Sequence, residues 1–389
     1  MKDVYILATG QIPVAKYADH ELGKLGGQAI TRALDVVQLD KEFVTGLYVG
    51  NMLSGILSQQ QLLGPLLADA AGLTNCEALT IEAACGSGGG AMRVGVMAIA
   101  SGAHRAVVVC GVEKMSHASR DDTTRGLATA SHWPTEGGLG ESFVTLNARL
   151  MAAYRDAYSL EAADFAPFAI NAHQNATTND CAMLRKSIDL ESYLGSRELA
   201  APIRLYDAPP ICDGAAALVL GNADLARVAR ARGLPVVRVT ASTCASDHLA
   251  LSERRDLLSL SAARLSAERA YRQADLGPSA IDLFEPHDAY TVMTALSLEA
   301  AGFADRGRAT QLARDGELTL EGSLPITTFG GLKARGHPVG ATGVYQLVEC
   351  FQQLTDSAGA NQVPNASIAM AQNLGGAAGL AFTHILERA

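Results

Sequence analysis

Four residues in this chain combine reactive or polar side chains with turns that would expose them. Cys85 lies in "IEAACGSGGGAMRVGVMAIASG", residues 81–102, between an apolar run and a helix-like pattern. A thiol at a helix N-terminus faces orphan N–H groups and the positive end of the helix dipole, and both favour the nucleophilic thiolate. Gly86, Gly88, Gly89 and Gly90 leave room for a substrate to approach the backbone, whose N–H groups are suited to an oxyanion. Read alone, Cys85 is equally well a buried structural cysteine. A thiol nucleophile needs a base. His337 stands in "RGHPVGATG", between a glycine and a proline ahead of a helix, where a side chain has little packing to do. His287 stands in "FEPHDAY", at the end of an apolar strand, where sites form in parallel α/β sheets. Asn373, in "AQNLGGAAG", repeats the Cys85 arrangement: strand, polar residue, then Gly375 and Gly376.

The surrounding pattern supplies elements to carry these turns. In residues 1–115, strands at Tyr5–Ala8, Gly46–Asn51, Ala78–Ala84 and Ala106–Val112 alternate with helices at Leu22–Val37, Gln59–Ala71 and Gly89–Ser101. Such alternation predicts a mostly parallel sheet covered by helices. Residues 116–208 hold polar clusters, the only tryptophan and no strong strands, which predicts an inserted lobe. Strand character returns in "PPICDGAAALVL", residues 209–220. From Pro235 the first pattern restarts: strand "VVRVTAS", helix Leu257–Ala274, strand "IDLFEPHD", helices Thr291–Ala301 and Thr342–Gln353, and the strands "SIAMAQN" and "LAFTHIL". The restart reads as an internal duplication, with one half at 1–115 and 209–233, a loop domain at 116–208, and a second half at 234–389. In a pseudo-symmetric pair, equivalent strand ends converge, which would bring Cys85, His287, His337 and Asn373 together.

The bulk properties restrict the function class. With 389 residues, 48% of them hydrophobic, the chain is too large for one compact unit of ordinary size. A net charge of −9 argues against nucleic acid or an anionic membrane as partner, though not against an anionic small molecule met by a local basic patch. The apolar runs are too short to span a bilayer, and no targeting segment is evident, so a cytoplasmic location is expected. Seven cysteines, an odd number without CxxC spacing, fit reduced thiols and no metal site.

Five motifs in order, "EAACGSG", "GVEKMS", "DGAAALVL", "GHPVGATG" and "QNLGGAAG", resemble the thiolase superfamily along essentially the whole chain. The resemblance implies an α/β thiolase fold: two βαβαβαββ halves layered αβαβα, with an inserted loop domain that helps bind coenzyme A. It implies acyl-CoA thioesters as substrates with no bound cofactor, and homodimers or homotetramers. It implies that Cys85 is acylated, that His337 activates it, and that the N–H groups of Cys85 and Gly375 form an oxyanion hole. It places the loop carrying Ser246 near Cys85. The phosphates of CoA need cations, for which the loop domain offers Arg185, Lys186 and Arg204, equally readable as solvated charges.

Two departures bear on mechanism. His287 stands where many thiolases have asparagine, a replacement that resembles the sterol carrier protein-type and archaeal branches. The second catalytic cysteine of many thiolases is missing from both places where it would stand, which here are Asn373 and Ala289. An amide does not titrate, so His287 or His337 would remove the Cα proton of a second thioester, or a decarboxylation would replace that step. The expected activity is an acetyl-CoA acyltransferase that makes or cleaves a 3-oxoacyl-CoA. The alternatives are a thiolase-fold acyltransferase or retro-aldolase with another acceptor, and a subunit active only with a small OB-fold partner protein. Gly330, Gly331, Lys333 and Arg335 precede the histidine loop, and the sequence leaves open whether they bind or merely turn.

Overall fold

The computed structural model describes residues 2–17 and 19–389. Its main sheet contains β1 (Val4–Gln11), β2 (Gly46–Gly50), β3 (Glu77–Ile81), β4 (Ala106–Glu113), β5 (Gly214–Asn222), β6 (Val237–Ser246), β7 (Leu283–Glu285), β8 (Ile368–Gly375) and β9 (Leu380–Arg388). The spatial order is β3-β2-β4-β5-β1-β6-β9-β8-β7. The sheet is joined at its middle by the short antiparallel contact of Tyr5 with Arg238 and Ile6 with Val237. Outward from that joint, both halves run in the same way. Antiparallel pairs come first, then parallel pairing of β4 with β2 and of β8 with β7. Phe284 even has a parallel bridge to Ile326, where the first half has β3. The duplication expected from element order is therefore present in the strand order.

The helices that matter for the site are α1 (Leu22–Val37), α2 (Leu63–Ala71), α3 (Ser87–Ser101), α4 (Arg120–Ala128), α5 (Phe143–Tyr158), α6 (Ala166–Ala176), α7 (Ala223–Ala231), α8 (Ser261–Ala274), α9 (Thr291–Ala300) and α10 (Thr342–Leu354). α1 buries Leu22, Leu25, Ala29, Ile30, Ala33, Leu34 and Val37, the spacing of one helical face. It covers one face of the first half-sheet together with α2 and α7. α8 and α9 cover the far face of the second half-sheet. Between the halves lie α3 and α10, whose Met92, Val96, Val344 and Leu347 pack against Val107 and Leu218 on one side and Leu283 and Leu386 on the other. The result is five layers, helix–sheet–helix–sheet–helix. α10 is buried along nearly its whole length, so its periodicity was readable only from the few polar residues.

Local differences from the sequence expectations have physical causes. β3 ends at Ile81 rather than Ala84, and it is a sheet edge with Leu79 48% exposed. The helix expected from Gln59 starts at Leu63, because Gln59 and Leu62 take positive φ. The helix expected from Leu257 starts at Ser261. β5 begins only at Gly214: Pro209 and Pro210 have no N–H to donate to a ladder. No segment between Lys114 and Asp213 enters the main sheet.

α3 and α10 meet at their N-termini almost backbone to backbone. A Cβ on Gly343 would lie 2.4 Å from Gly89 N and 2.3 Å from Asn373 Oδ1, and one on Gly88 would lie 2.9 Å from Val344 N. Replacing Gly343 by alanine should cost at least about 3 kcal/mol in urea denaturation, since neither backbone can retreat. Gly277→Ala, with no neighbour within 4 Å, should stay within about 0.5 kcal/mol of the parent.

Candidate active site

The chain leaves β3 through Glu82 and turns at Ala84, whose φ is 53°. Glu82 Oε1 accepts from Ala84 N–H at 2.7 Å. Ser87 Oγ donates to Ala84 C=O at 2.6 Å and accepts from Ala83 N–H at 2.9 Å. These contacts fix Cys85 in a tight turn that runs directly into α3. His287 follows β7. His337 follows a π-helical turn at Gly331–Arg335 and precedes α10. One reactive atom from each of Cys85, His287 and His337 lies within 4.8 Å of the others, and all three residues are buried. The imidazole rings stand nearly perpendicular, with centroids 5.1 Å apart.

Asn373 sets the protonation pattern. Its Oδ1 accepts from Gly89 N–H at 3.0 Å, so its Nδ2 is the donor to Cys85 C=O and to His287 Nδ1, each at 3.1 Å. His287 Nδ1 therefore holds a lone pair and Nε2 carries the proton. His337 is the reverse. Its Nδ1 lies 2.7 Å from Thr342 Oγ1, whose own hydrogen goes to Pro338 C=O at 3.3 Å, so Nδ1 donates and Nε2 is left as a base. The side chains thus present one proton acceptor and one proton donor around one thiol. Cysteine and two histidines are also a zinc-type ligand set. The assigned tautomers oppose it, because His287 Nδ1 is occupied by Asn373 and Nε2 carries a hydrogen.

The sequence matches the family described as "Thiolase, N-terminal domain" over residues 4–189. It matches "Thiolase C-terminal domain-like" over residues 243–388. The chain belongs to the thiolase family. An acetyl-CoA acetyltransferase of Methanothermobacter thermautotrophicus is 37% identical over 388 residues, covering 100% of both chains. A benzoylsuccinyl-CoA thiolase subunit of Thauera aromatica is 26% identical, covering 96% of this chain and 95% of that protein. The solved "Ltp2-ChsH2(DUF35) aldolase" has the same fold, with a TM-score of 0.86 at 21% identity over 99% of this chain and 98% of that one.

In this thiolase, burial dominates the electrostatics of the site. It pushes the Cys85 thiol up to about 12, with the Glu113 charge adding to it and the N–H groups of Cys85 and Gly376 pulling the other way. The N–H groups at the helix N-terminus act in the direction expected, but desolvation outweighs them and the thiol rests protonated. Burial lowers His287 to about 4; Asp288 opposes this, while Arg335 and Lys333 add to it. Burial, His287 and Arg335 lower His337 well below its usual value. Both imidazoles are neutral at neutral pH.

The two cations left open by the sequence are bracing groups. Gly330, Gly331 and Gly336, with φ of 105°, 53° and 112°, bracket the π turn. From it, buried Lys333 reaches Asp288 Oδ2 at 2.7 Å and Asp288 C=O at 3.1 Å, tying down the His287 loop. Buried Arg335 places Nε 2.8 Å from Glu349 Oε1 on α10, off the hydrogen-bond axis, and lays its guanidinium over the Tyr345 ring. Glu113, inside "GVEKMS" but not singled out from sequence, is fully buried. It accepts from Met52, Leu53 and Gly340 N–H and from Asn51 Nδ2 at 2.9–3.2 Å, joining the 51–53 loop to the histidine loop. Thr342, inside "GHPVGATG", was likewise missed. A hydroxyl at a helix start reads as a cap until its partner is seen.

A cavity of about 260 Å³ opens at Cys85, His287 and His337. Its walls are largely apolar, with Met115, Phe143, Ile211 and Met293 among them, and it also meets Arg120, Asn147, Arg197, Tyr290 and Gly376. Gly375 is paired in the sheet with Leu380, and the next residue, Gly376, is the one that lines the cavity. Ser246 lies off the cavity, exposed at the end of β6 opposite Leu380. Arg185 is exposed and pairs with Asp180 at 2.7 Å. Lys186 is exposed too, and its carbonyl contacts His173 Nδ1. Strand geometry turned Ser246 outward, and the loop segment brings a different pair of arginines to the cavity.

Because the resting thiol is protonated, alkylation of Cys85 by iodoacetamide should rise about tenfold per pH unit between about pH 7 and 9. The rate is read by peptide mass spectrometry against Cys85→Ala. A plateau below pH 8 would contradict the assigned resting state.

Proposed function

We propose that this thiolase is an acyltransferase that takes an acyl group from an acyl-CoA onto Cys85 and condenses it with, or releases it from, a 3-oxoacyl-CoA. Acetyl-CoA is the expected acyl donor, as in the name of the archaeal relative. The observation that carries the reading is that Cys85, His287 and His337 each bring a reactive atom within 4.8 Å of the others at the head of a cavity, with hydrogen bonds that leave His337 a base nitrogen and His287 a donor nitrogen. His337 Nε2 takes the thiol proton as sulfur attacks the thioester carbonyl. The oxyanion is met by N–H groups of the Cys85 turn and of the Gly375–Gly376 turn, and by His287 Nε2–H. CoA then leaves with the proton held on His337. Neutral imidazoles suit both roles.

The segment 116–208 is read as the loop domain. It supplies Arg120 and Arg197 to the cavity, in place of Arg185 and Lys186, as cations for the phosphates of CoA. β3 has a free edge with Leu79 half exposed, a liability that a second copy of the chain would cover. A homodimer is the proposed state, and Leu79→Asp should shift sedimentation from dimer toward monomer. A second reading, an aldolase or a subunit active only with a small OB-fold partner, has one observation in its favour. The solved structure of the same fold is titled as an aldolase together with ChsH2(DUF35). No nucleic acid or membrane partner is proposed; no helix among the described residues is long and apolar enough to cross a membrane.

The deciding measurement is intact-protein mass after incubation with acetyl-CoA. One acetyl group should appear on the parent and none on Cys85→Ala. An unmodified parent, or an acetylated Cys85→Ala, would overturn the acyl-enzyme reading and move weight to the partner-dependent one.

A further inference from the structure

The acyltransferase reading leaves one step without an owner. Carbon–carbon bond formation or cleavage moves a proton at Cα of a thioester, and neither Ala289 nor Asn373 titrates. The answer lies among the ionisable groups near the thiol. Besides the histidines, those whose charge reaches Cys85 are Glu113, Glu82 and Tyr290. Glu113 is held by three backbone N–H groups and Asn51, and Glu82 by Ala84 N–H. The hydroxyls of Thr342 and Tyr345 are likewise engaged, with Pro338 and Ile12 carbonyls.

Tyr290 differs. It is the residue after Ala289, it precedes α9, and it lines the cavity together with Ala289 and Met293. Its carbonyl is occupied by Thr294, but among the described residues its hydroxyl has no hydrogen-bond partner, and it is not among the sealed polar atoms. A buried phenol without a partner, on a residue that lines the same cavity as the nucleophile, is suited to a substrate atom. Burial, and after it the charge of Cys85, hold the phenol well above its ordinary value, so it rests protonated.

We infer that the Tyr290 hydroxyl is the acid and base at Cα in the second half-reaction. The inference rests on the acyl-enzyme reading above. In the cleavage direction, His337 has taken the Cys85 proton and sulfur bonds to the 3-oxo carbon. The bond from that carbon to Cα then breaks, and its electron pair forms the thioester enolate. Tyr290 O–H gives its proton to Cα, releasing acetyl-CoA while the shortened acyl group stays on Cys85 as the thioester, and the phenolate recovers a proton from the His337 imidazolium across the cavity. In reverse, the Cα proton of the acceptor thioester moves to the Tyr290 oxygen as the phenol's own proton passes to His337, so that no free phenolate stands in the cavity. The competing donor is His337 itself.

The test uses the full-length protein and acetyl-CoA in D2O. The parent should exchange the methyl protons of acetyl-CoA, become acetylated on Cys85, and exchange its acetyl group with labelled CoA. Tyr290→Phe should keep acetylation and acetyl exchange while losing about 10²-fold or more in methyl-proton exchange, the usual size of an acid–base contribution. Retained acetylation also reports a folded site. Methyl exchange at the parent rate in Tyr290→Phe would overturn the inference and assign the proton to His337. Loss of acetylation together with exchange would overturn it too, since the residue would then not be confined to the second half-reaction. A parent that is never acetylated would instead bring down the acyl-enzyme reading itself.

Discussion

The side-chain amide of Asn373 is the contact on which the site depends. It joins the end of β8 to the first turn of α3 through Gly89 N–H, to the nucleophile turn through Cys85 C=O, and to His287 through Nδ1. One amide thereby fixes the position of the cysteine and decides which nitrogen of His287 carries hydrogen. The bridge forms only because the helices around it begin with glycine. A Cβ on Gly89 would lie 3.0 Å from Asn373 Oδ1, and one on Gly343 would lie 2.3 Å from it. These glycines are needed for room, at positions with ordinary helical backbone.

Around this bridge the protein buries an unusual set of charges. Taking an ion out of water costs several kcal/mol even after relaxation, yet Lys333, Asp288, Arg335 and Glu349 are all almost fully enclosed. Burial likewise pushes the carboxyl groups of Glu285 and Glu349 upward, while the charge of Arg335 opposes this at both. Each cation of the π turn reaches a carboxylate tied to one of the two histidine segments, Lys333 at Asp288 and Arg335 on α10. The charge of Arg335 adds to desolvation in keeping both imidazoles neutral, and that of Lys333 does so at His287. A mid-chain π turn is rare and tends to occur where function tolerates irregular backbone. Here its register is what directs Lys333 and Arg335 to different partners.

The resting state that follows is a neutral one: protonated thiol, one imidazole accepting, the other donating. On the proposed mechanism, nucleophilicity arises by proton transfer to His337 during attack, with no standing ion pair. A desolvated cavity makes that sensible, because charge that appears only in the transition state meets N–H groups already in place.

By itself the sequence determined the elements and the chemistry-bearing turns. α1 was legible to its ends because a one-sided apolar stripe and its termination are local signals. Cys85, His287, His337 and Asn373 were legible because glycine, proline and strand ends mark exposed turns within a few residues. The duplication was legible from element order. Tertiary structure alone decided the rest. The Cys85–Asn373 contact spans 288 residues of sequence. The thiol's protonation depends on how much water the whole fold removes, which a local helix-terminus argument does not count. Ser246 is exposed at the end of β6, and Arg120 and Arg197 line the cavity while Arg185 and Lys186 are exposed, because the path of an irregular loop segment has no periodicity to read. Residue type and spacing are written locally, whereas desolvation, tautomer and cavity wall are sums over contacts that only the folded chain brings together.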